Sequence, residues 1–195
     1  RIAELYAEGL AGEMISQSPF GSLAEVLDEE LAREKGGKNA AARAFWQEQL
    51  QAWPDVKSFG ETRAPIAAEF IRESRPLPAA LWQALTGFAD EHKLGWPDLL
   101  LAGLSAQLSL ASGQEKTLLG LMMMNRIGSA SLTVPCMQMN ITPLALELGD
   151  ALDLAGAAGA VAKAKRGVRK HQHYRYELLR RDLGLVGGDK RLFGP

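Results

Sequence analysis

The sequence predicts an α/β protein of the α+β kind, with several helices packed on a sheet. Three observations carry that expectation. Apolar residues recur at helical spacing in segment after segment. The stretch from Leu118 to Leu144, LLGLMMMNRIGSASLTVPCMQMNITPL, reads instead as a strand, an abrupt polar turn, a loop and a second strand. The third is size: 195 residues, 47% hydrophobic and 23% charged, suffice for one domain, or one large lobe of a bigger one, with a real core.

Taken in order, Arg1 to Ala11 places Ile2, Leu5, Tyr6 and Leu10 on one face of an amphipathic helix that Gly12 ends. Met14 to Leu23 reads as loop, Leu23 to Ala32 as a short acidic helix, and Lys35-Gly36-Gly37-Lys38 as a solvated turn. Asn39 is placed to cap the next helix, with Ala42, Phe45, Gln49, Leu50 and Trp53 at near-helical spacing, Phe45 and Trp46 as core aromatics, and Pro54 as its stop. Ser58 to Pro65 reads as linker, and the weak alternation of Ile66 to Arg75 as a strand. Pro78 suits a first helical position, and Leu81, Leu85 and Phe88 give that helix a buried stripe. Pro97 opens a helix in which Leu99, Leu100, Leu101, Leu104, Leu108 and Leu110 leave almost no polar face, so it is expected at the centre, with Ser112-Gly113 closing it.

Thr117 to Met124 follows as a strand, apolar enough to be covered on both faces or to form a hydrophobic wall. Asn125 and Arg126 break it with an amide and a permanently charged fork of donors. Gly128, Ser129 and Ser131 loosen the loop and Pro135 stiffens its exit. Asn140, set in an apolar run, needs a partner, since an unsatisfied buried amide costs about 1–3 kcal/mol. Ile141 to Leu148 alternates as the second strand. Asp150 and Asp153 precede a long helix to His171, apolar at Leu154, Ala158, Val161, Ala164 and Val168, with Lys163, Lys165, Arg166, Arg169 and Lys170 toward its negative end. Tyr174 to Leu183 is a shorter helix closed by Gly184, and Val186 to Pro195 a glycine-rich turn leading to an incipient strand.

Composition excludes several classes. The net charge of −1 gives no reason to expect nucleic acid or an anionic membrane as partner. A single cysteine, Cys136, cannot form an internal disulfide, which suits a reducing, cytoplasmic compartment. No apolar run reaches the ~18–20 residues of a membrane span. The chain starts without methionine, already in helical register, and both ends read as cuts through a longer polypeptide. HExxH, CxxC, GxSxG and GxxxxGK[ST] are all absent. His171 and His173 read as an exposed basic helix end without a third metal ligand, and Cys136 as a small hydrophobe.

The segment from Asn125 to Leu144 resembles the part of nonribosomal peptide synthetase condensation domains in which a polar turn leads to a (F/V/M)xN(T/V)xPL strand. HQHYRYELLRRDLGLVGGDKRLFGP, from His171 to Pro195, resembles that family's later HQ motif and its sequel. The WQEQL and WPDLL helices extend the likeness over most of the chain from Ala42 onward. It is nearest to the domains that open siderophore synthetases of the enterobactin-synthase type. SPFGSLAEVLDEE in place of YxDYAxW, and MQMN in place of FVNT, fit that starter group.

The resemblance implies a chloramphenicol-acetyltransferase-like two-layer sandwich, a mixed sheet with packed helices. It implies that the chain is the C-terminal lobe, residues 1–38 being the end of the preceding lobe and the crossover, and the N-terminal lobe being absent. The family's catalytic HHxxxDG motif does not occur in these residues, so no catalytic residue is assigned and the piece is expected to be inactive alone. Asn125, Arg126, Met137 and Asn140 match the wall and floor of the substrate tunnel, each with a structural hydrogen bond or packing role as the alternative. Met122, Met123, Met124, Met137 and Met139 read either as an adaptable apolar wall or, by preference, as core.

The implied reaction joins a carrier-bound acyl donor, such as 2,3-dihydroxybenzoyl, to a carrier-bound aminoacyl acceptor. The 4'-phosphopantetheine arm comes with the carrier proteins, and no cofactor or metal is bound directly. The implied partners are the N-terminal lobe, the donor and acceptor carrier proteins and an adjoining adenylation domain. Lys165 and Arg169 are the candidates for carrier docking, against a solvated helix face. The rival readings are a catalytically silent carrier-docking module and another acyltransferase of the same superfamily, ester-forming or epimerization-type.

Overall fold

The computed structural model describes residues 2–12, 20–51, 53, 56, 59, 69, 72–149, 153–187 and 191–194. The elements are α1 (Ile2–Leu10), α2 (Leu23–Lys35), α3 (Lys38–Gln51), α4 (Ala79–Glu91), α5 (Trp96–Ser112), β1 (Lys116–Met123), a short 3-10 turn (Ala130–Leu132), β2 (Asn140–Glu147), α6 (Leu154–His171) and α7 (Tyr176–Asp182). They form two compact units, Arg1–Lys38 with Met124–Met139, and Asn39–Met123 with Asn140–Pro195.

In the first unit α1 ends at Ala11-Gly12, where Gly12 takes the left-handed conformation (φ +69°). Its apolar face is exposed at Ile2, Tyr6 and Leu10, and no residue of the helix is buried. Ser22 caps α2 by accepting from the Ala24 amide at 3.2 Å, and Arg33 and Lys35 sit at its negative end. The helix runs three residues past the expected Ala32 and stops where the Gly36 amide bonds back to the Ala32 carbonyl at 2.9 Å.

The second unit is built on β1 and β2. They pair antiparallel from Lys116↔Glu147 to Met123↔Asn140; among the described residues the sheet is this antiparallel pair, without the parallel pairing that the expected mixed sheet would add. Helices α5 and α6 pack on each other and on the strands. Leu119, Leu144, Ala158 and Val161 are at or near complete burial, with Trp46 and Leu50 from α3 and Leu179 from α7 in the same core. Leu118 and Leu119 are buried whereas Met122 is exposed; β1 is fully buried only in its first half, and Leu121 and Met123 of the second half pack partly against the core.

Beside β1, Gly194 donates its amide to the Leu118 carbonyl at 2.7 Å, and the Phe193 ring occupies the space a Cβ on Gly120 would take, 2.6 Å away. Glycine is required there because the ring's Cδ2 and Cε2 already fill the space a Cβ would need. This single bond is all of the incipient strand expected near the end of the chain; 188–190 and Pro195 lie outside the described residues.

Several expectations need correction. Helix α3 begins at Lys38, so Asn39 stands in its first turn and not at the cap. Pro78 is the N-cap of α4; of the expected stripe Leu85 and Phe88 pack partly against the core beside the buried Ala89, while Leu81 is exposed. Helix α5 is not apolar-buried all round: Asp98, Leu99, Ala102, Ser105 and Leu108 face inward, and Leu100, Leu104 and Leu110 are exposed. Small and polar residues make the inward seam because the Ser105 hydroxyl bonds the Thr117 hydroxyl of β1, which an apolar count does not register. Half of the strand expected over Ile66–Arg75 lies outside the described residues, and the described part, 69 and 72–75, carries no strand; 72–78 is irregular. The Ser58–Pro65 linker and Pro54 fall outside them as well, save for residue 59.

Candidate functional site

The polar turn after β1 is a built object. Asn125 is buried with φ +54°, a left-handed conformation that asparagine tolerates better than other side chains. Arg126 then folds its guanidinium into the loop it opens. Nη1 donates to the Ser131 carbonyl and, at 2.9 Å, to that of Val134, while Nη2 donates to the Cys136 carbonyl. Three carbonyls aimed at one planar fork is a task arginine performs and lysine does not.

The same loop is held from α2. The Glu29 carboxylate accepts from the Ser129 hydroxyl at 2.6 Å and from the Ala130 amide at 2.8 Å, so it caps the 3-10 turn. Gly21 adds its amide to the Thr133 carbonyl at 3.2 Å. Anchored this way, the loop presents Met124, Ile127, Leu132, Met137 and Met139 outward. The preferred core reading of the methionines therefore fails for Met122, Met124, Met137 and Met139; Met123 alone packs against the core. An unbroken apolar run carries no information on which of two alternating faces is covered.

Asn140, the first residue of β2, is almost wholly buried. Nδ2 donates to the carbonyls of Gln172 and Tyr174, both at 2.8 Å, and Oδ1 accepts from the Tyr176 amide at 3.0 Å. Both amide hydrogens are spent on the turn between α6 and α7, and the Tyr176 amide is one of α7's otherwise unpaired N-terminal donors. That turn is braced again by the Tyr174 hydroxyl donating to Asp182, whose carboxylate also pairs with Arg43 of α3 at 2.9 Å. Burial, and then the Asp182 bond and charge, push the Tyr174 hydroxyl up to about 12. Trp46 donates Nε1 to the His171 carbonyl at 3.2 Å, and Phe45 stacks on the His171 ring at 4.2 Å.

His171 is therefore not the exposed helix end the sequence suggested. Burial, and secondarily Lys170, lower its pKa from 6.5. No cluster of potential metal ligands exists among the described residues. No described helix is long and apolar enough to cross a membrane.

Lys165, paired in sequence reasoning with Arg169 as a docking cation, is engaged elsewhere. Its Nζ lies 2.7 Å from Asp98 Oδ1, and Asp98 is buried at the start of α5. The spacing held the clue: Ala158, Val161, Lys165 and Val168 form one helical seam, and the other three are buried. Arg169 is exposed. Arg126 and Asn140 bond to different segments, the first to its own loop and the second to the α6–α7 turn. Glu29, Asp98 and the Arg43–Asp182–Tyr174 set escaped sequence reasoning, because each acts on a residue far along the chain.

The sequence profile of the condensation domain matches residues 1–195. Over its full length the chain is 39% identical to the isonitrile lipopeptide synthase of Streptomyces coeruleorubidus, of which it spans 13%, and 29% identical to enterobactin synthase component F of Escherichia coli (strain K12), of which it spans 15%. The fold matches the first condensation domain of the calcium-dependent antibiotic synthetase, solved in complex with a substrate analogue, with a TM-score of 0.80 and 26% identity over 100% of this chain and 42% of that one. With the profile covering every residue and the architecture coinciding, the chain belongs to the condensation-domain family of nonribosomal peptide synthetases and has that family's chloramphenicol-acetyltransferase-like fold.

Proposed function

We propose that this chain is the C-terminal lobe of a condensation domain that forms an amide between two carrier-bound substrates. The observation that carries the reading is the family match over residues 1–195, together with the absence of HHxxxDG from the sequence. In the reaction the acceptor amine attacks the donor thioester carbonyl. A C–N bond forms, the C–S bond breaks, the pantetheine thiol leaves, and the amine gives up a proton. The group that receives or guides that proton belongs to the other lobe, and this one contributes a wall and floor of the substrate tunnel.

The anchored Asn125–Met139 loop supports that assignment, since a wall that must hold its shape against passing substrates gains from a rigid backbone. Met137 supplies adaptable apolar surface to it. Asn140, with its amide committed to the α6–α7 turn, acts as a positioning residue. The phosphopantetheine arm arrives on the carriers as part of the substrate. The adjoining partners are the N-terminal lobe, two carrier proteins and an adenylation domain.

The donor proposed is an aryl acid, supported by the likeness to enterobactin synthase component F and to vanchrobactin synthetase. A lipid-like acyl donor is the second reading, favoured by the higher identity to an isonitrile lipopeptide synthase. The test is amide formation by the complete two-lobe domain with 2,3-dihydroxybenzoyl-loaded or octanoyl-loaded donor carrier and an aminoacyl acceptor carrier. Product from one donor assigns the class. Carrier binding without any product would replace catalysis by the docking-module reading.

A further inference from the structure

Helix α6 carries Lys163, Lys165, Arg166, Arg169, Lys170 and His171 and not one carboxylate. Two of these side chains are accounted for inside the fold: Lys165 pairs with Asp98, and His171, whose charged form burial disfavours, stacks on Phe45. Lys163, Arg166, Arg169 and Lys170 are exposed, and their side chains make no ion pair among the described residues. Lys163, Arg166 and Lys170 are three and four residues apart, so they fall within about 60° of one another on the helix surface, with Arg169 at the border.

The ordinary explanation for cations on a helix is the dipole, but it reaches only the last turn. It accounts for Arg169 and Lys170 and not for Lys163 and Arg166. A merely solvated face is normally laced with acidic residues at i±4, and like charges at that spacing repel. This stripe is therefore kept against its own repulsion, in a chain whose net charge is −1. Toward the helix start it continues into Gly159, which has open space where a Cβ would stand, so the surface is also smooth enough for close approach.

We propose that the Lys163–Arg166–Lys170 face of α6 is the docking surface for an acidic protein. Resting on the function proposed above, that protein is a carrier domain, and the face displaces Lys165 from the docking role. The charges act mainly on encounter and orientation, so their effect is strongest at low salt.

The test uses the complete two-lobe domain and an acidic apo carrier domain as the binding probe. The variants are Lys163→Glu/Arg166→Glu/Lys170→Glu, the milder triple glutamine form, and Lys93→Glu on the α4–α5 turn as control, each checked by thermal melt. Triple reversal should weaken carrier affinity about tenfold or more at 50 mM salt, with the gap closing toward 500 mM. The glutamine form should fall between, and Lys93→Glu should match wild type. Unchanged affinity in both triple variants overturns the proposal. So does a wild type that ignores the carrier but binds a 20-nucleotide RNA or phosphatidylserine vesicles through these residues. Amide formation from soluble pantetheine-linked substrates, which needs no docking, is read in parallel. Turnover there with unaltered carrier binding in the variants removes the surface and keeps the function. Carrier binding through α6 with no amide from any substrate removes the function and keeps the surface.

Discussion

Replacing Asn140 by alanine tests the central clamp most directly. The side chain makes three hydrogen bonds at 2.8, 2.8 and 3.0 Å from a position only 4% exposed. Its removal leaves two carbonyls and the Tyr176 amide without their partner. A buried polar group stripped of its partner costs about 1–3 kcal/mol, and water reaches the less buried of the three, so the expected loss is about 2–5 kcal/mol. Against the 5–15 kcal/mol typical of a domain (roughly), that is a large share. With a urea slope of about 2 kcal/mol/M, the midpoint should fall by about 1–2.5 M. Tryptophan fluorescence follows the transition, since Trp46 is buried and bonded to the His171 carbonyl at the edge of the same turn. Asn140→Asp should be worse than alanine, because it points a carboxylate at two carbonyls. A midpoint within about 0.3 M of wild type for alanine, or an aspartate variant as stable as wild type, would refute the clamp. A fully stable Asn140→Ala that loses amide formation would move Asn140 from positioning to direct substrate contact.

Three further outcomes follow from the same geometry. Gly120→Ala sets a methyl 2.6 Å from the Phe193 ring; overpacking of this kind costs about 1–3 kcal/mol, and Phe193→Ala in the same chain should recover much of it in a double-mutant melt. Lys165→Glu faces Asp98 with a second carboxylate in a mostly buried site; discounting for the partial exposure of Lys165, it should cost about 1–3 kcal/mol, more than Lys165→Met, in urea titration. His171 has a lowered pKa in the fold, so the unfolded chain takes up its proton first as pH falls. Its contribution is complete above pH 6.5 and is lost on acidification through 6.5 to the folded value. Melting temperatures from pH 7.5 to 5.5 should therefore fall more steeply for wild type than for His171→Phe, and parallel curves would contradict the assignment.

How much of this was legible in the sequence depends on the range over which each signal acts. Helices α5 and α6 were visible because their caps and stops are local: Asp153 bonds an amide three residues ahead, and Gly113 turns left-handed one residue past α5. The strand–turn–strand core was visible because Asn125 and Arg126 interrupt an apolar run, and the need of Asn140 for a partner followed from its setting.

Direction was a different matter. Nothing local says that Met122 and Met124 face outward while Met123 packs inward, or that α5 buries Ala102 and Ser105 and exposes Leu104, since that depends on which side a neighbouring element covers. Partner choice was equally out of reach. Asn140 reads a turn 32–36 residues later, Lys165 finds Asp98 67 residues earlier, and Glu29 caps a turn about a hundred residues on. The sequence by itself determined the helices, the strand pair, the family and the residues that required partners, because backbone propensity, capping and burial cost act within a few residues. Only the tertiary structure decided that Lys165 is locked inside while Lys163, Arg166, Arg169 and Lys170 face outward on α6, because an ion pair forms where packing brings two charges within reach, whatever their separation along the chain.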